Sequence, residues 1–345
     1  MTLISDFDYE LPSELIAQTP LEQRDASRML VLDRNEQKWT DSSFTNFTSY
    51  LRPDDVVVVN NSRVIPARLN GRREETGGQV EIFLVREVED RVWEALVRPG
   101  GRLKRGARAS FGDGKLIAEI LDDPGPEIRR VRLHSEGPFD QTLAEIGSTP
   151  LPPYIKRPSG VSAEDRERYQ TIYSKHRGAI AAPTAGLHFT PEILAGVAQR
   201  ASLAEITLHV GYGTFEPVRV DDVADHSVSG EHFEVSESAA QTINEARATG
   251  GRVIVVGTTT MRALESATTS EGAVVAGSGV ATLTITPGYQ FRIAGALLTN
   301  FHLPRSSLLI LVSSFAEREF VLRAYRHAVA EGYRFYSYGD CMLIL

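Results

Sequence analysis

Three short strings gather side chains able to move protons. "AAPTAGLHFT", residues 181–190, is apolar and turn-rich and carries His188. It follows the basic run "YSKHRG" and ends where a helix is expected to start. "LLTNFHLP" sets Asn300 and His302 where an apolar strand breaks into a turn. "DHSVSGEHFEV" places His226, Glu231 and His232 close together. Histidine and glutamate can be tuned toward neutral pH, which suits acid–base work. Two histidines and a carboxylate can also hold zinc. The offset from His226 to His232 fits no common zinc spacing, so no metal is expected. For each histidine the plain alternative is a satisfied side chain in a turn.

Two further strings bear on binding. "RVIVVGTTTMRALES" has the outline of a strand, a glycine turn at Gly257 and a helix. A helix N-terminus there offers unpaired N–H groups to a carboxylate or phosphate. Thr258 and Thr259 add hydroxyls, and Arg262 is in reach of a carboxylate. No Gly-Lys-Ser/Thr follows, so it is not a Walker loop. "VGYGTF" is followed by "EPVRV" rather than a helix, so it is not a dinucleotide loop either. Its glycines allow close approach of a flat ligand or another strand. "NNSRVIPARL" puts Asn60, Asn61, Ser62 and Arg63 at the end of a buried strand, as a hinge or a site.

The elements that must position these residues change texture along the chain. "RMLVLDR" and "DVVVVN" read as strands, with "SFTNFTSYL" as a short helix between them. From about 63 to 135, short strands punctuated by Gly, Asp and Pro suggest a small antiparallel barrel with Trp93 in its core. "STPLPPYIKRP" reads as a linker. "SAEDRERYQTIYSKH" then looks helical, and "AEITLHVGYGTF" reads as a strand. At "FTPEILAGVAQRA" Thr190 suits the N-cap and Pro191 the first helical position. "SESAAQTINEARATGG" reads as a helix ended by Gly250 and Gly251, and the C-terminus as a helix followed by strands. The expected class is α/β, a discontinuous α/β domain with an inserted small antiparallel β-barrel. The expected boundaries are 1–62 for the first part, 63–150 for the barrel and 151–345 for the second part.

Composition excludes several classes. Apolar residues are 42% and charged residues 24%, a globular mixture. The single cysteine, Cys341, excludes a disulfide framework within one chain and suits a reducing cytoplasm. The N-terminus is acidic and lacks an apolar signal region, and "SSLLILVSSFA" is too short to cross a bilayer. A net charge of −8 is unlike a generic nucleic-acid coat protein. It hides a balance of +4 from Arg63 to Arg108 and −6 from Asp221 to Glu271. One segment is therefore able to face phosphates.

Taken in order from near residue 4 to the C-terminus, "NNSRVIPARL", "PPYIKR", "YQTIYSKHRGAIAAPTAGLHFT", "HVGYGTFEPV", "GEHFEV", "RVIVVGTTTMRALES", "LLTNFHLPRSSLLILVSSFA" and "YRFYSYGDCMLI" resemble the S-adenosylmethionine:tRNA ribosyltransferase-isomerase family of queuosine biosynthesis. Departures are small. "NNSRV" stands where the family usually has Asn-Asp-Thr-Arg-Val, so Asn61 lacks a carboxylate found there. The resemblance implies ribosyl transfer from S-adenosylmethionine to the 7-aminomethyl-7-deazaguanine wobble base of a tRNA. Adenine and methionine leave, and epoxyqueuosine is the product. It implies the discontinuous fold with an inserted barrel, and S-adenosylmethionine as a substrate with no further cofactor. Its chemistry needs an acid and a base within hydrogen-bond reach. The residues in matching strings are His188, His209, Glu231, His232 and His302. For the donor, the same strings offer Gly186, Phe189, Tyr212, Gly257, Thr258, Thr259, Arg262 and Asn300. An aromatic near the sulfonium adds cation–π attraction, with Tyr289 a further candidate. For the anticodon region of the tRNA they offer Arg63, Lys156 and Arg157. A monomer is expected. The rivals are an S-adenosylmethionine-dependent RNA methyltransferase, which wants a glycine loop followed by a helix, and a non-catalytic RNA-binding module, which is expected to be basic.

Overall fold

The computed structural model describes residues 1–100, 103–122, 128–215 and 218–345. The first part carries β1 (Arg28–Asp33), β2 (Lys38–Ser43), β3 (Val56–Asn60) and the short β4 (Ser62–Val64). Six strands follow: β5 (Arg68–Arg73), β6 (Gln79–Glu89), β7 (Val92–Arg98), β8 (Arg108–Phe111), β9 (Leu116–Asp122) and β10 (Ile128–Ser135). They close into an antiparallel barrel in the order β10-β7-β6-β5-β8-β9. The helix α1 (Phe139–Ile146) packs on it through Leu143. The last part holds α2 (Ala163–Arg168), β11 (His176–Ala179), α3 (Pro191–Arg200), β12 (Ser202–Leu208) and β13 (Glu231–Val235). It continues with α4 (Glu237–Ala248), β14 (Val253–Val256), α5 (Thr258–Ser266), β15 (Gly277–Ala281) and β16 (Ala296–Asn300). It closes with α6 (Ser307–Ala316), α7 (Arg318–Ala330) and β17 (Cys341–Ile344).

First and last parts share one nine-stranded sheet, ordered β15-β13-β12-β3-β14-β16-β17-β1-β2. The barrel is an excursion from it. The chain leaves at the end of β3 and returns to pair beside β3 as β12. β12, β3, β14 and β16 run parallel, so their carboxyl ends share one edge. The sequence of β3 shows why it lies centrally. Val56 and Val58 enter one core with Leu30, Leu32, Val253 and Val255. Val57 and Val59 enter the opposite core with Met29, Val31, Ile254 and Val256. A strand covered on both faces reads as one unbroken apolar run. Barrel strands alternate instead. In β9, Leu116, Ala118 and Ile120 point inward beside Trp93, which is 4% exposed.

The structure departs from the sequence reading in four places. Residues 44–50 form a 3-10 turn rather than an α-helix. The helix expected over 162–176 is only Ala163–Arg168. Beyond it Gln170 uses its side-chain amide like a strand, accepting from Val64 N at 3.0 Å and donating to Val64 O at 2.9 Å. That pairing draws the chain out of the helix and along β4. The strand read through "AEITLHVGYGTF" stops at Leu208, and a 3-10 turn takes Tyr212–Phe215. After α7, one strand forms where several were expected. The N-cap of α3 is as read: Thr190 Oγ1 accepts from Ile193 N at 3.3 Å.

Candidate active site

A branched cleft lies along the shared carboxyl edge, where the barrel meets the sheet. Its wide end is a cavity of about 1090 Å³ between barrel and sheet, bordered by Trp93, Phe139, Arg177, His209, Tyr212 and Glu231 among others. A middle pocket of about 310 Å³ shares Gly213, Ser229 and Glu231 with it. A narrow pocket of about 60 Å³ then opens past Tyr154, Leu308 and Tyr336. It ends on Thr184, Gly257, Thr258, Thr259, Asn300 and His302. Crevices at the carboxyl ends of parallel strands are the usual ligand sites of α/β sheets.

Gly257 turns β14 into α5 with φ +92°, a conformation that favours glycine. Its N–H donates to Leu298 O at 2.8 Å, and the first turn of α5 faces the narrow pocket with Thr258 and Thr259. Asn300 and His302 lie at and just past the end of the neighbouring β16. His302 is 6% exposed, its Nε2 is 2.9 Å from Thr299 Oγ1, and burial lowers its pKa to about 3. Its backbone is clamped as well: the carbonyl accepts from Tyr9 OH at 2.5 Å, and the amide donates to Tyr325 OH at 3.1 Å.

His188 sits behind the pocket wall. It is 3% exposed, and both ring nitrogens are engaged, Nδ1 with Ser27 Oγ at 2.7 Å and Nε2 with Asn300 Nδ2 at 3.2 Å. Burial, with the Arg24 charge second, lowers its pKa to about 4, so it is neutral at pH 7. Its neighbours in the same string are also structural. Phe189 is wholly buried, edge-on to Phe44 at 5.2 Å and Phe47 at 5.6 Å, so it cannot meet a sulfonium. A Cβ on Gly186 would fall 2.0 Å from Tyr173 OH, so that glycine serves packing within the chain rather than approach to a ligand.

Arg262 borders the middle pocket, but four of its five N–H donors are taken within the chain. Nη1 donates to Glu231 Oε2 at 2.6 Å, Nη2 to the carbonyls of Ser229 and Ala281, and Nε to that of Leu283. Its charge is turned inward to hold Glu231, whose Oε1 also accepts from Gly211 N at 2.9 Å. Burial raises the Glu231 pKa, and Arg262 and the Gly211 amide oppose that rise. Glu231 therefore stands at the wall between the wide cavity and the middle pocket with a tuned carboxyl group.

Two residues that border the wide cavity each carry a buried atom without a hydrogen-bond partner among the described residues, His209 at Nδ1 and Trp93 at Nε1. Burial lowers the His209 pKa, and the nearby His176 and His232 charges lower it further. His232 is exposed, with Arg86 Nη1 donating to its Nε2 at 3.3 Å. Tyr212 packs edge-on to Phe83 of the barrel at 6.0 Å. Tyr289 lies elsewhere, its hydroxyl donating to Glu265 Oε2 at 3.0 Å.

Of the expected RNA cations, Arg157 is held by its own chain. Nε and Nη2 grip Asp165 at 2.7–3.0 Å, and Asp165 is itself buried. Lys156 is exposed, and its ammonium has no partner among the described residues. Arg63 is exposed at the barrel junction, where it donates to Ser174 Oγ at 3.1 Å. Several cations of the positive segment are paired: Arg68 with Glu81, Arg86 with Glu94 and Arg108 with Glu74. Among the described residues no group of three His, Cys, Asp or Glu side chains is placed to hold a metal, and no helix is long and apolar enough to cross a membrane.

Sequence reasoning overlooked Tyr154 and Tyr336, which form the neck between the narrow and middle pockets, their ring centroids 3.9 Å apart and edge-on. Both lie in strings that resemble the family, "PPYIKR" and "YRFYSYGD", and nothing in either pattern marks the tyrosines as a pair. Thr184 and Ser27 were also overlooked. No pattern links Ser27 to His188, because the pair is made by tertiary contact.

Comparison with known proteins agrees with this arrangement. A profile of the queuosine biosynthesis protein family matches residues 4–344. An S-adenosylmethionine:tRNA ribosyltransferase-isomerase of Desulforamulus reducens is 48% identical over 343 residues, covering 99% of each chain. The crystal structure of an S-adenosylmethionine tRNA ribosyltransferase from Thermotoga maritima is 36% identical, with a TM-score of 0.55 over 99% of this chain and 100% of that one. The chain therefore belongs to the queuosine biosynthesis family of S-adenosylmethionine:tRNA ribosyltransferase-isomerases.

Proposed function

We propose that the protein transfers and isomerises the ribosyl group of S-adenosylmethionine onto the 7-aminomethyl-7-deazaguanine base at the wobble position of a tRNA. Adenine and methionine leave, and the base becomes epoxyqueuosine. The observation that carries this reading is the two-ended cleft with Glu231 at its dividing wall. The middle and narrow pockets suit the donor. The wide cavity, bordered by barrel and sheet, suits a base splayed out of the anticodon loop.

The sulfonium makes the adjacent C5′–H acidic, adenine leaves well only when a ring nitrogen is protonated, and the acceptor amine must lose a proton to attack. Glu231, with its raised pKa, is suited to take up and return a proton between the two ends. His209, whose imidazole borders the wide cavity, is the second such group. His188, neutral and engaged through both ring nitrogens, and His302, neutral and bonded through Nε2 to Thr299, hold the strand-end geometry instead. Tyr154 and Tyr336 narrow the neck and exclude water from the reacting centre. Lys156 and Arg63 are the phosphate contacts this reading retains. The chemistry requires no metal or further cofactor, and the protein acts as a cytoplasmic monomer.

The test is incubation with labelled S-adenosylmethionine and tRNA carrying the aminomethyl-deazaguanine. Release of both adenine and methionine with label on the tRNA is expected. Formation of S-adenosylhomocysteine would mean methyl transfer, and binding of tRNA without turnover would mean an RNA-binding module.

A further inference from the structure

At the narrow pocket four side chains stand in file. Thr184 Oγ1 is 2.9 Å from Asn300 Oδ1, and Asn300 Nδ2 is 3.2 Å from His188 Nε2. His188 Nδ1 is 2.7 Å from Ser27 Oγ, and Ser27 Oγ is 3.3 Å from the carbonyl of Arg24. The inner end is a backbone carbonyl, which can only accept. Ser27 must therefore donate to it, so the Ser27 oxygen accepts from His188 Nδ1–H. A neutral imidazole has one donor and one acceptor nitrogen, which leaves Nε2 to accept. Asn300 must then turn its NH₂ toward His188. A second carbonyl imposes the same orientation independently: Asp340 O lies 3.4 Å from the same Nδ2. With its amide fixed, Asn300 presents its oxygen to Thr184, and the single hydroxyl proton of Thr184 goes to that oxygen. Toward the pocket, Thr184 has only lone pairs left.

We infer that Thr184 is an acceptor-only specificity contact, set by the Ser27–His188–Asn300 file, and that it receives a hydroxyl or amino N–H of the bound donor substrate. The pocket behind the tyrosine neck holds about 60 Å³, so it admits one small end of a ligand rather than a whole nucleoside. S-adenosylmethionine carries such groups in its ribose hydroxyls, its adenine amine and its methionine ammonium. An ether, a carboxylate or an unprotonated carbonyl is rejected there, because lone pairs would face lone pairs. His188 is thus a positioning residue, acting on the substrate through Asn300 and Thr184. The ligand class rests on the functional reading above, whereas the order of the hydrogen bonds does not.

Two readouts test it on the full chain. Nitrogen-15 NMR of histidine-labelled protein at neutral pH is expected to show His188 as the neutral Nδ1–H tautomer. An Nε2–H tautomer or an imidazolium overturns the file. Thr184→Val removes the acceptor, and the KM for S-adenosylmethionine is expected to rise about tenfold with kcat little changed, while Thr184→Ser restores it. An unchanged KM in Thr184→Val overturns the contact. Failure of wild-type protein to bind S-adenosylmethionine overturns the ligand class together with the functional reading. The NMR result separates that failure from a failure of the file.

Discussion

At the narrow end of the cleft, His188 and His302 are buried, neutral and bonded on several sides, and the amide of Asn300 has only one orientation open to it. At the wide end, His209 Nδ1 and Trp93 Nε1 lie buried with no partner among the described residues. A buried polar atom left without a partner costs about 1–3 kcal/mol. The contrast separates two kinds of site. An end whose His188 and Asn300 are bonded within the chain is shaped before a ligand arrives and suits a small molecule of fixed geometry. A wide end walled by two different sheets, with unpartnered groups in its walls, is completed by the surface that enters it. Charge follows the same division. The segment 63–150 carries equal numbers of basic and acidic residues, 15 of each, so the net −8 belongs to the flanking parts.

The sharpest way to break the contrast is at its hinge, Glu231. Arg262→Ala leaves that carboxyl buried without its counter-ion and is expected to destabilise the fold by about 3–5 kcal/mol, read from urea unfolding. The same measurement on Arg157→Ala is expected to show a loss of about 3 kcal/mol, because Asp165 is left buried. Arg157 holds Asp165 below the usual carboxylate range. A depressed carboxyl pKa stabilises above the unfolded value, so this contribution disappears as pH falls through about 4 and below. An Arg157→Ala protein with full stability and weakened tRNA binding would restore the phosphate role that the structure withholds from it.

His188 gives a pH test of the narrow end. An unfolded histidine titrates near 6.5, and His188 in the fold near 4. Between those values the unfolded chain holds a proton that the folded chain lacks. Stability therefore falls as pH drops from about 6.5 to about 4, by about 3 kcal/mol for this one group, and levels off below. His188→Gln is expected to remove that share of the slope. A variant with the wild-type slope would mean that His188 takes its proton in the folded state.

The wide end predicts smaller effects on binding alone. Trp93→Phe replaces the indole with a smaller aromatic ring and removes the orphaned N–H. It is expected to raise the KM for tRNA several-fold, by about 1 kcal/mol, with that for S-adenosylmethionine unchanged. Lys156→Ala, which removes one exposed charge, is expected to lower the slope of log affinity against log salt by about 1 with no change in stability.

Most of the architecture was legible because local pattern decides it. The unbroken valines of β3, the alternation of β9 and the Thr190-Pro191 start of α3 each state their element in a few residues. The helix over 162–176 was misread because Gln170 finds its partner on β4, far away in sequence. The site was legible in part for the same reason. Strings such as "GTTTMR" and "TNFHLP" show that polar groups cluster at strand ends. They do not show which way a side chain turns. Arg262 borders the middle pocket but turns its donors to Glu231 and three carbonyls, Phe189 faces Phe44, and His188 faces Ser27. All three orientations are tertiary facts. The aromatic neck was legible as two tyrosines but not as a pair, since Tyr154 and Tyr336 meet only in the fold.

The most direct measurement is single-turnover release of adenine by Glu231→Gln with S-adenosylmethionine and modified-precursor tRNA both saturating. Proton handling at the wall between the two ends predicts near-native affinity for each substrate and a rate reduced about 100-fold or more. A rate close to wild type would contradict that role for Glu231 and remove the link between the two ends of the cleft.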